Sequence, residues 1–378
     1  MLPTALRLLL KQVSRSFYLS VRVLPASVQY PIGLGYLLAR AADSIADTPL
    51  LPASERLVLL QRLAQAAGGD ASAQTALMQG LERARLSSPQ PTAPQPPNPT
   101  AQAEARLLST LPQCLSLLSG LPPDDQRLVR WVLDQLTLGM GRDLTRFPCA
   151  DATVPPDQVV ALARQSDLDE YCYFAAGCVG EFWTDLTAAH VPQLATLRQP
   201  DLRQRGVALG NALQLVNVVR DVVSDLRIGR CYWPADLLAA HGLSPHRLAE
   251  LAHGQPPQDS ERPALIAATH TLCDQGSRLC QQAWPYVQAI PPSLVRLRLA
   301  CVWPLLLALD TLAALRSAGS PLLFPTAPVK VSRSHVYSLL WQSSRAAVRD
   351  RLFGSAQLDR VFANRLQPPS PVDPAPAL

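Results

Sequence analysis

Polar and apolar positions recur with a helical period along most of this chain. In YLLARAADSIAD, Tyr36, Arg40, Asp43 and Asp47 fall within an arc of about 60° at helical spacing, while Leu38, Ala42 and Ile45 face elsewhere. The pattern returns in QLVNVVRDVVSD, where Gln214, Asn217, Asp221, Ser224 and Asp225 share an arc of about 100° opposite Leu215, Val219, Val223 and Leu226. Each segment therefore predicts a helix carrying two carboxylates one turn apart. A third stripe, Tyr171, Ala175, Cys178 and Phe182, is narrow and mostly apolar. It reads as the lining of a hydrocarbon pocket or as part of a core.

Proline sharpens these boundaries, because it breaks helix interiors. The chain has 36 prolines in 378 residues, and four of the long windows without them stand out: 32–48, 124–147, 157–191 and 201–233. Each is long enough for at least one helix. Residues 87–103 (SSPQPTAPQPPNPTAQA) read instead as a proline-rich insertion loop within one domain spanning 1–365. Residues 254–263 read as another inter-helix loop, and 366–378 as a disordered tail. More than sixty leucines against five isoleucines favour an all-α chain over a parallel sheet.

Composition excludes more than it assigns. The net charge is +5 and no Lys/Arg-rich run occurs, so a nucleic-acid partner is not expected. The longest apolar run, Leu299 to Leu309, is interrupted by Pro304, and no transmembrane anchor is expected. The opening MLPTALRLLLKQ has no small-residue cleavage pattern, so no signal peptide is expected. Eight cysteines form no C-x-x-C pair, which fits a reduced, cytoplasmic protein.

The two acidic faces carry the candidate chemistry. Like charges at i, i+4 cost a helix roughly 0.2–0.5 kcal/mol, so each pair calls for a reason. Ordinary solvated faces do contain such pairs, but dense alternating charge usually surrounds them, and here it does not. Mg²⁺ takes oxygen ligands, typically one or two carboxylates plus substrate phosphates. Two Asp-x-x-x-Asp faces could hold Mg²⁺ around a diphosphate, with Arg40, Arg220 and Arg230 as direct phosphate contacts.

Several motifs in fixed order then give a resemblance. SRSFYLSVRVLP, YLLARAADSIADT, TLGMGRDLTRF, DEYCYFAAGCVGEFW, QLVNVVRDVVSDLRIGRCYWP and PVKVSRSHV resemble the squalene/phytoene synthase family, most nearly its squalene branch. That resemblance implies an all-α isoprenoid-synthase bundle around a central cavity. It implies head-to-head condensation of two farnesyl diphosphates to squalene, with Mg²⁺ and NADPH as cofactors. Asp43, Asp47, Asp221 and Asp225 would hold Mg²⁺. Ser14, Arg15, Ser16, Tyr36, Arg40, Gln214, Asn217, Arg220 and Arg230 would bind diphosphate. Tyr171 would handle a proton or steady a cation, and Lys330 and Arg333 would bind the nucleotide. A peripheral membrane contact for release of a lipid product is also implied.

Departures keep the product open. Ala46 and Ser224 stand where squalene synthases often carry Glu, and neither GLGYLL nor GMGRDL completes a G-x-G-x-x-G. A non-reductive dehydrosqualene or phytoene synthase is the first alternative. The second is a family member without catalysis, serving as a lipid-binding or assembly protein. Loss of acidic pairs is its expected sign, and all four aspartates are present.

Overall fold

Leu/Ala-rich segments bounded by proline or glycine become helices in the computed structural model, which describes residues 2–14, 17–48, 50–86, 99–147, 153–323 and 329–366. Eight helices come first: α1 (Thr4–Val13), α2 (Phe17–Arg22), α3 (Ala26–Ala46), α4 (Ala53–Ala67), α5 (Ala71–Leu86), α6 (Pro99–Ser109), α7 (Leu111–Ser119) and α8 (Pro123–Arg146). A short strand β1 (Val160–Ala161), α9 (Gln165–Cys172), a π-helical turn over Tyr173–Gly177 and α10 (Cys178–His190) follow. Next come α11 (Pro200–Arg220), α12 (Val222–Arg227), β2 (Arg230–Cys231), α13 (Ala235–Ala240) and α14 (Pro245–Ala252). The chain then forms α15 (Arg262–Ala289), α16 (Val295–Ser317), α17 (Arg333–Phe353) and α18 (Gln357–Leu366). The all-α expectation holds.

Where the sequence reads one domain over 1–365, the described residues divide into two compact units. The first comprises 1–154 and 173–207, the second 155–172 and 208–378. In the first unit α3 packs against α4, α7, α8 and α10. Asp125, in the first turn of α8, is buried and accepts from His190 Nε2 at 2.8 Å. The carboxylate thus sits at the positive end of α8 while the imidazole sits at the negative end of α10, so both dipoles favour the pair. Gly180 of α10 is obligatory for packing, since a Cβ there would stand 2.1 Å from the Gly206 carbonyl oxygen. In the second unit α16 packs along α15 and α17.

Two sequence expectations need correction. Prolines 31, 285 and 304 lie inside α3, α15 and α16 instead of ending them. A proline in a helix interior costs about 3 kcal/mol. In α3 the burial of Ile32, Leu34, Leu37, Leu38 and Ile45, each contributing roughly 1.5–3 kcal/mol, outweighs that cost. The loop expected over 87–103 ends earlier: 99–103 already belong to α6, with Ala103 buried, while 87–98 lie outside the described residues. The expected tail also lies outside them beyond Leu366. By length and composition α16 matches a membrane span, which the sequence reading does not anticipate because Pro304 interrupts its apolar run. About two thirds of that segment is buried against the rest of the protein.

Candidate active site

The first acidic face occupies the last turns of α3. Asp47 ends the helix, its N–H donating to the Asp43 carbonyl at 2.8 Å, so the two carboxylates stand one turn apart where the chain leaves the core. Arg40 Nη1 reaches Asp43 Oδ2 at 3.2 Å, and Arg40 Nη2 reaches Glu104 Oε1 of α6 at 2.5 Å. Asp43 keeps 43% of its side chain accessible. Even so, the surrounding protein displaces water around it, and together with the Asp47 charge this pushes its pKa up to about 6, against the pull of Arg40. This carboxylate is thus short of positive charge. Burial alone would lower the Arg40 pKa, but Asp43 and Glu104 hold it above its ordinary value.

Tyr36 lies one turn further back, its ring stacked on Phe17 with centroids 4.9 Å apart and its hydroxyl donating to the Val13 carbonyl at 3.4 Å. Ser14, expected at a diphosphate, is buried and its hydroxyl donates to the Leu10 carbonyl. Arg15 and Ser16 lie outside the described residues.

The second face lies at the end of α11. The helix breaks at Asp221 (φ −97°, ψ 6°), which opens α12, and the Asp221 carbonyl accepts both the Asp225 N–H at 3.0 Å and Ser224 Oγ at 2.7 Å. Arg220 grips the Asp221 carboxylate with two bonds, Nε at 2.8 Å and Nη2 at 2.5 Å. That grip, reinforced by Asp225, holds the guanidinium pKa above its ordinary value despite burial. Two turns before, Gln214 Nε2 donates to Tyr171 Oη at 2.9 Å, and Gln214 Oε1 accepts from Asn217 Nδ2 at 3.3 Å. The Tyr171 ring stacks on Tyr232, centroids 4.2 Å apart. Parallel pairing of β1 with β2, Val160 beside Arg230, fixes the segment that carries both Arg230 and Tyr232.

The stripe from Tyr171 to Phe182 is not continuous in the fold. Tyr173–Gly177 forms a π turn, which inserts extra residues per turn and shifts the register of everything after it. Within that turn Phe174 packs on Gly139, where a Cβ would approach within 2.5 Å, and carries the Arg142 guanidinium 4.5 Å from its ring centre.

Three contributors escape a sequence reading: Glu104, which is 64 positions from Arg40, and the aromatic partners Phe17 and Tyr232. Phe17 and Tyr232 stand inside SRSF and RCYWP, so their motifs are visible although their partners are not. Glu104 gives no local signal. Lys330 is exposed, and so is Arg333 at the start of α17.

Among the described residues no three His, Cys, Asp or Glu side chains form a metal cluster. The seven cysteines described are buried, and burial pushes the thiols of Cys178, Cys231 and Cys280 up to about 12, so none of these three is a ready thiolate ligand. The donors that remain are the paired carboxylates. Pairs suit a hard cation that completes its shell with phosphate oxygens.

Comparison with known proteins bears on these faces. Squalene synthase BSS of Botryococcus braunii is 24% identical over 350 residues, 91% of this chain and 65% of its own length. The 15-cis-phytoene synthase of Enterobacter agglomerans is 33% identical over 37% of this chain and 41% of its own length. The chain therefore spans two thirds or less of these curated relatives. A ligand complex of TcSQS superposes with a TM-score of 0.68 at 16% identity, covering 96% of this chain and 90% of that one. A ligand-bound dehydrosqualene synthase gives 0.55 at 19% identity, covering 90% and 94%. These structures share the isoprenoid-synthase fold expected from the sequence. The family model for squalene/phytoene synthases matches residues 10–335, a range that contains α3, α11 and every acidic residue of both faces, and the chain belongs to that family.

Proposed function

We propose that this protein is a prenyltransferase that joins two farnesyl diphosphates head to head, through presqualene diphosphate, to squalene. The observation that carries this reading is the same pairing on both acidic faces: Arg40 with Asp43, and Arg220 with Asp221. Each guanidinium is bound to a carboxylate that a divalent cation would claim, and is thereby available to phosphate oxygens when the cation enters.

Asp43 and Asp47 would hold Mg²⁺ on one face, Asp221 and Asp225 on the other. Bound there, Mg²⁺ neutralises the charge that builds on the diphosphate as the C1–O bond breaks. The protein's own groups do the rest. Arg40, Arg220 and Arg230 bind diphosphate oxygens, and the planar guanidinium fits two of them at once. Asn217 and Gln214 hold Tyr171 so that its phenol oxygen accepts a bond while its ring presents a negative face toward developing positive charge. An aromatic face is worth ~0.5–2 kcal/mol to a nearby cation.

Lys330 and Arg333 are exposed cations that offer charge to a nucleotide phosphate, but exposure gives no dry site for hydride transfer, so these two residues alone do not fit NADPH. Likeness to a squalene synthase over 91% of the chain, against partial likeness to phytoene synthases, supports the squalene reading. Product analysis from C15 and C20 diphosphates, with and without NADPH, tests it. Squalene formed from the C15 donor only with NADPH supports it. An unchanged C30 product in both conditions indicates dehydrosqualene synthesis, and phytoene from the C20 donor replaces it altogether.

A further inference from the structure

Eleven large apolar residues are exposed among the described residues, and five of them belong to α17: Tyr337, Trp341, Val348, Leu352 and Phe353. At helical spacing Tyr337, Trp341, Val348 and Leu352 fall within an arc of about 60°, forming one stripe along four turns. Tyr337 is 68% exposed, Trp341 and Leu352 65% each. The opposite side of α17 is buried, and there the residues are Leu339, Ser343, Ala346, Ala347 and Asp350. The helix thus turns most of its large aromatic and aliphatic side chains outward and buries mainly small ones, together with Leu339 and Asp350. This reverses the amphipathicity that a core alone would select.

The charge around the stripe has one sign. Arg333, Arg345, Arg349 and Arg351 are all exposed, and none makes an ion pair among the described residues. Arg345 lies over the Trp341 ring, 5.8 Å from its centroid. The helix has a single acid, Asp350, and it is occupied inside: it accepts from the Gln357 and Leu358 N–H groups and lies 3.7 Å from Arg298. A face of Trp, Tyr, Leu and Val rimmed by arginine without an exposed acid matches a helix lying in a headgroup layer. It does not match self-association, because a two-fold pair would set the arginines of one copy against those of the other.

We propose that α17 is a membrane-surface helix that binds bilayers rich in anionic lipid headgroups. The test is co-sedimentation of the full chain with vesicles of phosphatidylcholine alone or mixed with phosphatidylglycerol, alongside its mass in solution by light scattering. The wild-type chain should sediment with the mixed vesicles and far less with phosphatidylcholine alone. Trp341→Ser with Leu352→Ser should weaken binding by roughly tenfold or more through lost apolar contact. Arg345→Glu with Arg349→Glu should abolish the preference for anionic vesicles. All four side chains are exposed, so the unfolding temperatures should stay near wild type. The proposal is overturned if the wild type ignores both vesicle types or if both double variants bind as it does. It is equally overturned if the apolar variant converts a wild-type dimer to a monomer without changing vesicle binding.

Discussion

Gln214 donates from Nε2 to the phenol oxygen of Tyr171 across 2.9 Å, and its own carbonyl oxygen is engaged by Asn217. That bond uses a lone pair of the phenol and not its hydrogen. The tyrosine is therefore held at its tip by the amide and along its ring by Tyr232. Gln214→Leu removes the tip contact while roughly preserving the volume. Loss of a half-buried hydrogen bond costs ~1–3 kcal/mol, so kcat should fall about ten- to hundredfold with KM nearly constant. Tyr171→Phe should fall at least as far, and Gln214→Leu should add little on top of it. Additive losses in the double variant would separate the two residues.

Asp43→Asn and Asp221→Asn should each lower diphosphate release by about a hundredfold or more, since each weakens a site where the metal offsets leaving-group charge. The Asp221→Asn unfolding temperature should change little, because that carboxylate is partly open to solvent. Wild-type rates in either variant would remove the metal assignment.

Asp43 also predicts a pH dependence. Its folded pKa of about 6 lies above the ordinary carboxylate value, so between about pH 4 and 6 the folded chain binds more protons than the unfolded one. In metal-free buffer this group's contribution to stability is therefore fully present below about pH 4 and lost as pH rises through about 6. Denaturant titrations of wild type and Asp43→Asn across that window should differ in slope, with the variant flatter. Added Mg²⁺ should bind more tightly as pH rises through that folded pKa and lose the dependence in the variant.

Packing gives a prediction independent of catalysis. Gly180→Ala would drive a methyl into the Gly206 carbonyl and should destabilise the fold by about 1–3 kcal/mol or more. Gly120, at the C-terminal cap of α7 with φ −88°, has its nearest such contact at 3.5 Å. Gly120→Ala should be neutral or stabilising by about 0.4–1 kcal/mol. Chemical denaturation of both variants reads the contrast directly.

Helix placement is largely legible from the amino-acid pattern. The proline-free window 124–147 is α8 almost to the residue, and both acidic pairs lie on helical segments, although the second straddles a break at Asp221 that its spacing does not show. What the pattern hides is non-local or non-standard. Proline 31 looks like a stop because its missing N–H is a local fact, while the core contacts that outweigh it come from other helices. The π turn after Cys172 has no periodic signature, so a stripe extended through Phe182 at α-helical spacing follows the wrong helix geometry. The two-residue pairing of β1 with β2 is too short to show as alternation, yet it sets the position of Arg230 and Tyr232. Tyr171, by contrast, stands out from its motif, and only its bond to Gln214, 43 positions away, is a fact of the fold.

The most direct measurement is diphosphate release from farnesyl diphosphate by the purified chain, with Mg²⁺ present or removed by chelation, coupled to quantitation of the C30 product. Mg²⁺-dependent release of two diphosphates for each C30 hydrocarbon is the expected result, with NADPH deciding that the hydrocarbon is squalene. Absence of Mg²⁺-dependent release from this or any other prenyl diphosphate would contradict the enzymatic reading and leave a lipid-binding or assembly protein in its place.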